Sequence, residues 1–131
     1  GPYMRRFFFS IQDAVDLVLY ALENYSKYNG KIVCADMKSC KLIDIIKVWI
    51  KKYGGGYKII KSRKGDRLDE YLIGSNEINY ASKIIKNKKT YYIIDFDVKS
   101  KKPLKKIVSS ENAIKLNNKE ISKIVEFGMN Q

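Results

Sequence analysis

Ser10-Ile11-Gln12-Asp13-Ala14-Val15-Asp16-Leu17-Val18-Leu19-Tyr20-Ala21-Leu22 is the stretch from which the rest of the chain can be read. Ser10 stands where a helix cap belongs, and Asp13 follows three residues later as the carboxylate of a capping box. Ile11, Ala14, Val15, Val18, Leu19 and Leu22 recur at the i, i+3, i+4 spacing of one helical face, predicting an amphipathic helix from 11 to about 25. Asn29-Gly30 then breaks the pattern, and the β-branched run Lys31-Ile32-Val33-Cys34-Ala35 reads as a short strand.

The same alternation continues outward. Ser39 is the expected cap of a second helix, with Leu42, Ile45, Ile46 and Trp49 as its apolar stripe. Gly54-Gly55-Gly56 ends it as a C-cap and linker, since no Lys-Ser or Lys-Thr follows at phosphate-loop spacing. Tyr57–Ile60 reads as the next strand, Leu68–Ile73 as a short helical stretch closed by Gly74, and 75–86 as a further helical turn or two. Tyr91-Tyr92-Ile93-Ile94-Asp95 is the third strand. Lys99–Lys106 is a solvated loop, and Asn117 with Glu120 caps a terminal helix bearing Ile121, Ile124 and Val125. Upstream, Phe7-Phe8-Phe9 fits a short strand with one or two of its rings in the core. Strands alternating with helices give a mixed α/β class.

Composition narrows the chemistry. A chain of 131 residues that is 45% hydrophobic suits one domain with its own core. No run approaches the ~20 apolar residues of a membrane-spanning helix, and the three apolar residues after Arg6 are too few for a signal peptide. A cytoplasmic location is expected, with no membrane partner. Gly1-Pro2 reads as either a cloning remnant or native sequence. The absence of any His removes His-dependent triads, His–Cys pairs and His metal sites. Cys34 and Cys40 form no CxxC pair and no zinc site, so no metal is expected and both thiols read as reduced. No GxGxxG opens a helix after a strand. The formal charge is +12, from 26 Lys and Arg against 14 Asp and Glu. That surplus points to a polyanionic partner or, being nearly all Lys, to compositional drift. Arg occurs only at 5, 6, 63 and 67. In such a background a retained planar fork marks a geometric demand such as a phosphate.

Three blocks carry a resemblance. Met4-Arg5-Arg6-Phe7-Phe8-Phe9-Ser10-Ile11-Gln12-Asp13-Ala14-Val15, Ser62-Arg63-Lys64-Gly65-Asp66-Arg67-Leu68-Asp69-Glu70, and Ser109-Ser110-Glu111-Asn112 with Leu116 and Glu120 resemble, in order and across the chain, the UDP-N-acetylglucosamine 4,6-dehydratases among the extended short-chain dehydrogenase/reductases. The resemblance implies that residues 1–131 are the carboxy-terminal, nucleotide-sugar-binding portion of such an enzyme in surface polysaccharide biosynthesis, capsule or O-antigen. The fold would be a small mixed α/β substrate-binding portion whose Rossmann core lies outside this chain. The family's NADP fingerprint, its Tyr-x-x-x-Lys pair and its acid/base residues have no counterpart here, so the chain itself supplies binding. Some members also epimerise C5, and oligomers are common.

Carried over position by position, the resemblance implies Arg6 and Arg63 as ligands of the UDP diphosphate. It implies Asp66 as acceptor for the ribose hydroxyls or partner of a basic group, where the family usually has Glu. Glu70 matches a recurrent family Glu, with a structural pairing to Arg63 or Arg67 as the other reading. The partners implied are a UDP-sugar and the Rossmann part of the same protein. Two other classes stay open: a basic nucleic-acid-binding module, which should bind any DNA or RNA with strong salt dependence, and a non-catalytic remnant of the dehydratase fold. Against the first, no helix gathers Lys and Arg on one face.

Overall fold

The computed structural model describes residues 1–129. The fold is mixed α/β, in the order β1 (Arg5–Phe8), α1 (Ile11–Glu23), α2 (Tyr25–Tyr28), β2 (Ile32–Ala35), β3 (Lys38–Lys41), α3 (Leu42–Tyr53), β4 (Tyr71–Ile73), β5 (Ala81–Lys86), β6 (Lys89–Ile94), β7 (Val108–Ser109) and α4 (Asn118–Met129). All pairings between these strands are antiparallel, so they build no parallel doubly wound sheet. The chain divides into two compact units. The first comprises Gly1–Phe8, Lys38–Glu70 and the described residues from Ser110 on; the second comprises Phe9–Met37 and Tyr71–Ser109.

In the first unit β1 pairs with β3, Arg6 opposite Cys40 and Phe8 opposite Lys38. Its apolar centre is small: Cys40, Ile121 and Val125 are buried, with Phe8, Ile45, Val48 and Leu116 packed around them. Ser39, expected to cap α3, is instead a fully buried β3 residue whose hydroxyl donates to the Ser110 carbonyl at 2.6 Å. The orphan N–H groups that a cap would serve find main-chain partners: Leu42 donates to the Met4 carbonyl and Ile43 to that of Pro2, at 3.0 and 2.7 Å. At α4 the expected reciprocal cap forms, Glu120 N–H to Asn117 Oδ1 and Asn117 N–H to Glu120 Oε2.

The second unit centres on the sheet β2-β6-β5. The two-residue period of a strand sends alternate β6 side chains to opposite faces. Tyr91 and Ile93 join Tyr20 and Tyr28 on one face, while Tyr92 and Ile94 join Ile73 and Ala81 on the other. Tyr20 stacks on Tyr91 with centroids 3.9 Å apart and shares a 3.1 Å hydroxyl contact with Tyr28. Ser10 and Asp13 form the expected capping box of α1. This helix faces its own unit through Leu17 and Tyr20, leaving Ile11, Val15, Val18, Leu19 and Leu22 each between 44% and 65% exposed.

Three expected elements are corrected. Tyr57–Ile60 is not a strand: its β-prone residues have no strand beside them, and 54–63 has no regular structure. Leu68–Ile73 is not helical. Tyr71–Ile73 pairs with Val108–Ser109, and the Glu70 carbonyl accepts the Ser110 N–H at 2.8 Å. The helical turns expected over 75–86 are a turn followed by β5, which joins β6 through Asn87 and Lys88, both at positive φ. That is the mirror-image turn whose twist suits a tight hairpin. The Lys99–Lys106 segment is also less free than a solvated loop, because Leu104 packs under β6 and Ser100 is hydrogen-bonded to Asn79 and Ser82.

Candidate substrate-binding site

The arginines and carboxylates singled out from the sequence all lie in the first unit. Alternation along β1 turns Arg5 and Arg6 to opposite sides, and each meets one member of the Asp69-Glu70 pair. Arg5 grips Asp69 in a two-point contact, Nε to Oδ1 at 2.5 Å and Nη2 to Oδ2 at 2.7 Å, with Glu111 at 3.3 Å. Arg6 Nε lies 3.3 Å from Glu70 Oε1. Its Nη1 donates to the Arg5 and Leu68 carbonyls at 2.7 and 3.5 Å, and its Nη2 to the Arg67 carbonyl at 3.2 Å. The other Glu70 oxygen accepts the Phe7 N–H at 3.2 Å. Glu70, expected at the substrate with a pairing to Arg63 or Arg67 as the other reading, is an ion-pair partner of Arg6.

Arg63 sits differently. Arg63-Lys64-Gly65-Asp66 is a tight turn: the Asp66 N–H donates to the Arg63 carbonyl at 3.1 Å and Gly65 takes φ +92°. Gly at the third position is what such a turn requires. The Asp66 carboxylate closes the turn by accepting the Arg63 N–H at 2.8 Å. The Arg63 guanidinium is exposed and, among the described residues, makes no hydrogen bond or ion pair. The structure thus joins Arg6 with Glu70 and Arg63 with Asp66. Among the described residues no hydrogen bond or ion pair links one couple to the other.

Behind Arg6 lies a polar network the sequence reading did not single out. Ser110, fully buried, accepts the Glu70 N–H at 3.0 Å and lies 3.0 Å from Asp69 Oδ1 and 3.3 Å from the Arg5 carbonyl. Lys115 Nζ donates to the Ser110 and Glu111 carbonyls at 2.7 and 2.6 Å and to Ser39 Oγ at 3.1 Å. The Arg5 hydrogen bond holds the Asp69 carboxyl below the usual carboxylate range. Lys115 is pushed below its ordinary value by partial burial and then by the nearby charge of Arg5. The legible signal was the pairing of two adjacent arginines with two adjacent acids: in an extended strand both arginines need a partner.

Among the described residues no cluster of three or more Cys, Asp or Glu could hold a metal, and no helix is long and apolar enough to cross a membrane. Both thiols are free; burial pushes Cys40 up to about 11, where it stays protonated at neutral pH.

Fold and site together describe a small mixed α/β portion with a tightly bonded Arg–carboxylate cluster and, among the described residues, two exposed guanidinium groups without a side-chain partner, those of Arg63 and Arg67. The model of a polysaccharide biosynthesis protein family matches residues 1–95, and the chain belongs to that family. An uncharacterized membrane protein of Methanocaldococcus jannaschii is 33% identical over 134 residues, covering 95% of this chain and 39% of that protein. The X-ray structure of Pen from Bacillus thuringiensis matches with a TM-score of 0.74 and 20% identity, over 100% of this chain and 40% of that one. The chain therefore spans well under half the length of either relative, and its likeness to Pen is one of fold.

Proposed function

We propose that this chain is the nucleotide-sugar-binding portion of a UDP-N-acetylglucosamine 4,6-dehydratase, a lyase acting in the cytoplasm in surface polysaccharide biosynthesis. The observation that carries the reading is the Arg63 guanidinium, exposed and unpaired at the corner of a turn that Asp66 closes. A planar fork with its donors uncommitted is suited to two oxygens of a diphosphate. Arg6, already bonded to three carbonyls and Glu70, contributes positive charge and holds the adjoining segment in place. Asp66 would accept from the ribose only while also bonding the Arg63 main chain.

In this reading the chain anchors the uridine diphosphate, and the remote binding energy holds the hexose in the pose from which water is lost across C5 and C6. The described residues do not fit NADP. The glycine run 54–56 follows the end of α3 rather than a strand, so no backbone cradle opens a helix toward a pyrophosphate. The exposed α1 stripe of Ile11, Val15, Val18, Leu19 and Leu22, with no Lys or Arg between 11 and 25, is suited to packing on the cofactor-binding part of a longer protein.

Calorimetric titration of the chain with UDP, UDP-N-acetylglucosamine and N-acetylglucosamine tests the proposal. Saturable binding of the first two, with little for the free sugar, is expected. A folded chain that ignores UDP contradicts it.

A further inference from the structure

Every residue from Lys51 to Leu68 is exposed. A linker whose only role is to be solvated is expected to be polar, yet this one carries Tyr57, Ile59, Ile60 and Leu68 at 51%, 59%, 74% and 55% exposure. It continues from the end of α3, where Trp49 and Tyr53 are also exposed, with ring centroids 5.1 Å apart. Eight cations are interleaved with these apolar groups: Lys47, Lys51, Lys52, Lys58, Lys61, Arg63, Lys64 and Arg67. Asp66 is the one acid between 47 and 68. Lys52 is paired with Glu126, and no ion pair joins the side chains of the other seven to an acid among the described residues.

We propose that the segment from Lys47 to Leu68 is a peripheral docking surface for an anionic lipid bilayer. The Lys side chains meet the headgroups, their stems lying along apolar surface, while Tyr57, Ile59 and Ile60 enter the boundary between headgroup and acyl chain. Trp and Tyr are the side chains favoured at that depth. The contrast with α1 separates the two exposed apolar regions. The α1 stripe has no cation, as suits contact with protein, whereas Lys is depleted at protein interfaces and abundant here. A nucleic acid would use the cations and the aromatic faces but offers nothing to Ile59 and Ile60. A single UDP engages only a few of these charges. The inference goes beyond the nucleotide-sugar reading and does not depend on it.

Co-sedimentation of the full 131-residue chain with vesicles tests it, using phosphatidylcholine alone and phosphatidylcholine with about a third phosphatidylglycerol. Retention on the anionic vesicles only is expected, falling at least about tenfold when salt is raised to about 0.5 M. Lys58→Ala and Lys61→Ala should each lower the partition coefficient about fivefold. Ile59→Ser with Ile60→Ser should lower it about tenfold or more, with circular dichroism unchanged because both side chains are exposed in the folded chain. Equal retention on neutral vesicles, or indifference to the paired Ile substitution, overturns the proposal. So does binding of duplex DNA with none to vesicles. No retention on any vesicle while UDP still binds overturns this proposal alone and leaves the nucleotide-sugar reading standing.

Discussion

The two units fill their interiors with different chemistry. In the second, both faces of one sheet are closed by Tyr20, Tyr28, Tyr91, Ile93 and Ile73, Ala81, Tyr92, Ile94, whose buried tyrosines bring neutral phenols into the interior. In the first, among the described residues, four buried apolar residues, Cys40, Ile43, Ile121 and Val125, accompany a network of Arg5, Asp69, Ser110 and Lys115. Apolar burial is non-directional, whereas a two-point Arg–carboxylate contact fixes position and orientation together. The candidate binding residues belong to the unit whose interior is directional. A strand held to within hydrogen-bond tolerance can present Arg6 in one geometry.

The largest effect that would sharpen this contrast belongs to the second unit. Ile73 is fully buried, so Ile73→Ala should cost ~2–5 kcal/mol in urea-induced unfolding. A loss below ~1 kcal/mol would show the face shared by Ile73, Ala81, Tyr92 and Ile94 to be loosely packed. Next in size is Ser110→Ala in the first unit, which strips a partner from the Glu70 N–H and from Asp69. About 1–3 kcal/mol should be lost, measured the same way. No loss would mean the network contributes position but not stability.

Smaller effects separate the units by pH. The Asp69 pKa is depressed in the folded chain, chiefly by Arg5. Its contribution is present above the unfolded value near ~3.9 and disappears as pH falls through the lower folded value. Asp69→Asn should therefore remove part of the acid-side decline in stability. Tyr20 and Tyr92 are both pushed up to about 12, chiefly by burial. Their contribution is complete below the unfolded value near ~10 and is lost as pH rises from there through about 12. Tyr92→Phe should flatten that alkaline decline, followed by tyrosinate absorbance and circular dichroism together. Decline at the same pH in both variants would erase the distinction between the units.

What the sequence made legible follows from how local each signal is. Ser10 with Asp13 and Asn117 with Glu120 are reciprocal caps written within four residues, and both form. β2 and β6 announce themselves through β-branched and aromatic runs. The β5–β6 hairpin was hidden because its turn uses Asn87-Lys88 where Gly would have advertised positive φ. Tyr57–Ile60 has strand composition without a strand to pair with, and pairing is not a local property. Ser39 looks like a cap but its hydroxyl is claimed by Ser110, more than 70 positions along the chain. The same distance effect concealed the Arg5–Asp69–Ser110 network, although Arg6, Arg63, Asp66 and Glu70 were named from the blocks that contain them. Arg6 and Glu70 proved to be each other's partners because the segment 67–70 runs against β1.

The central claim is that the unpaired fork at position 63 holds a diphosphate while its cationic neighbour does not. Dissociation constants for UDP should be compared in Arg63→Ala and Lys64→Ala, two exposed, adjacent and equally charged positions. Arg63→Ala is expected to weaken binding about ten- to hundredfold, the scale of one or two charged hydrogen bonds, with Lys64→Ala changing it by less than about threefold. An unchanged constant in Arg63→Ala, or equal losses in the two variants, would contradict the account.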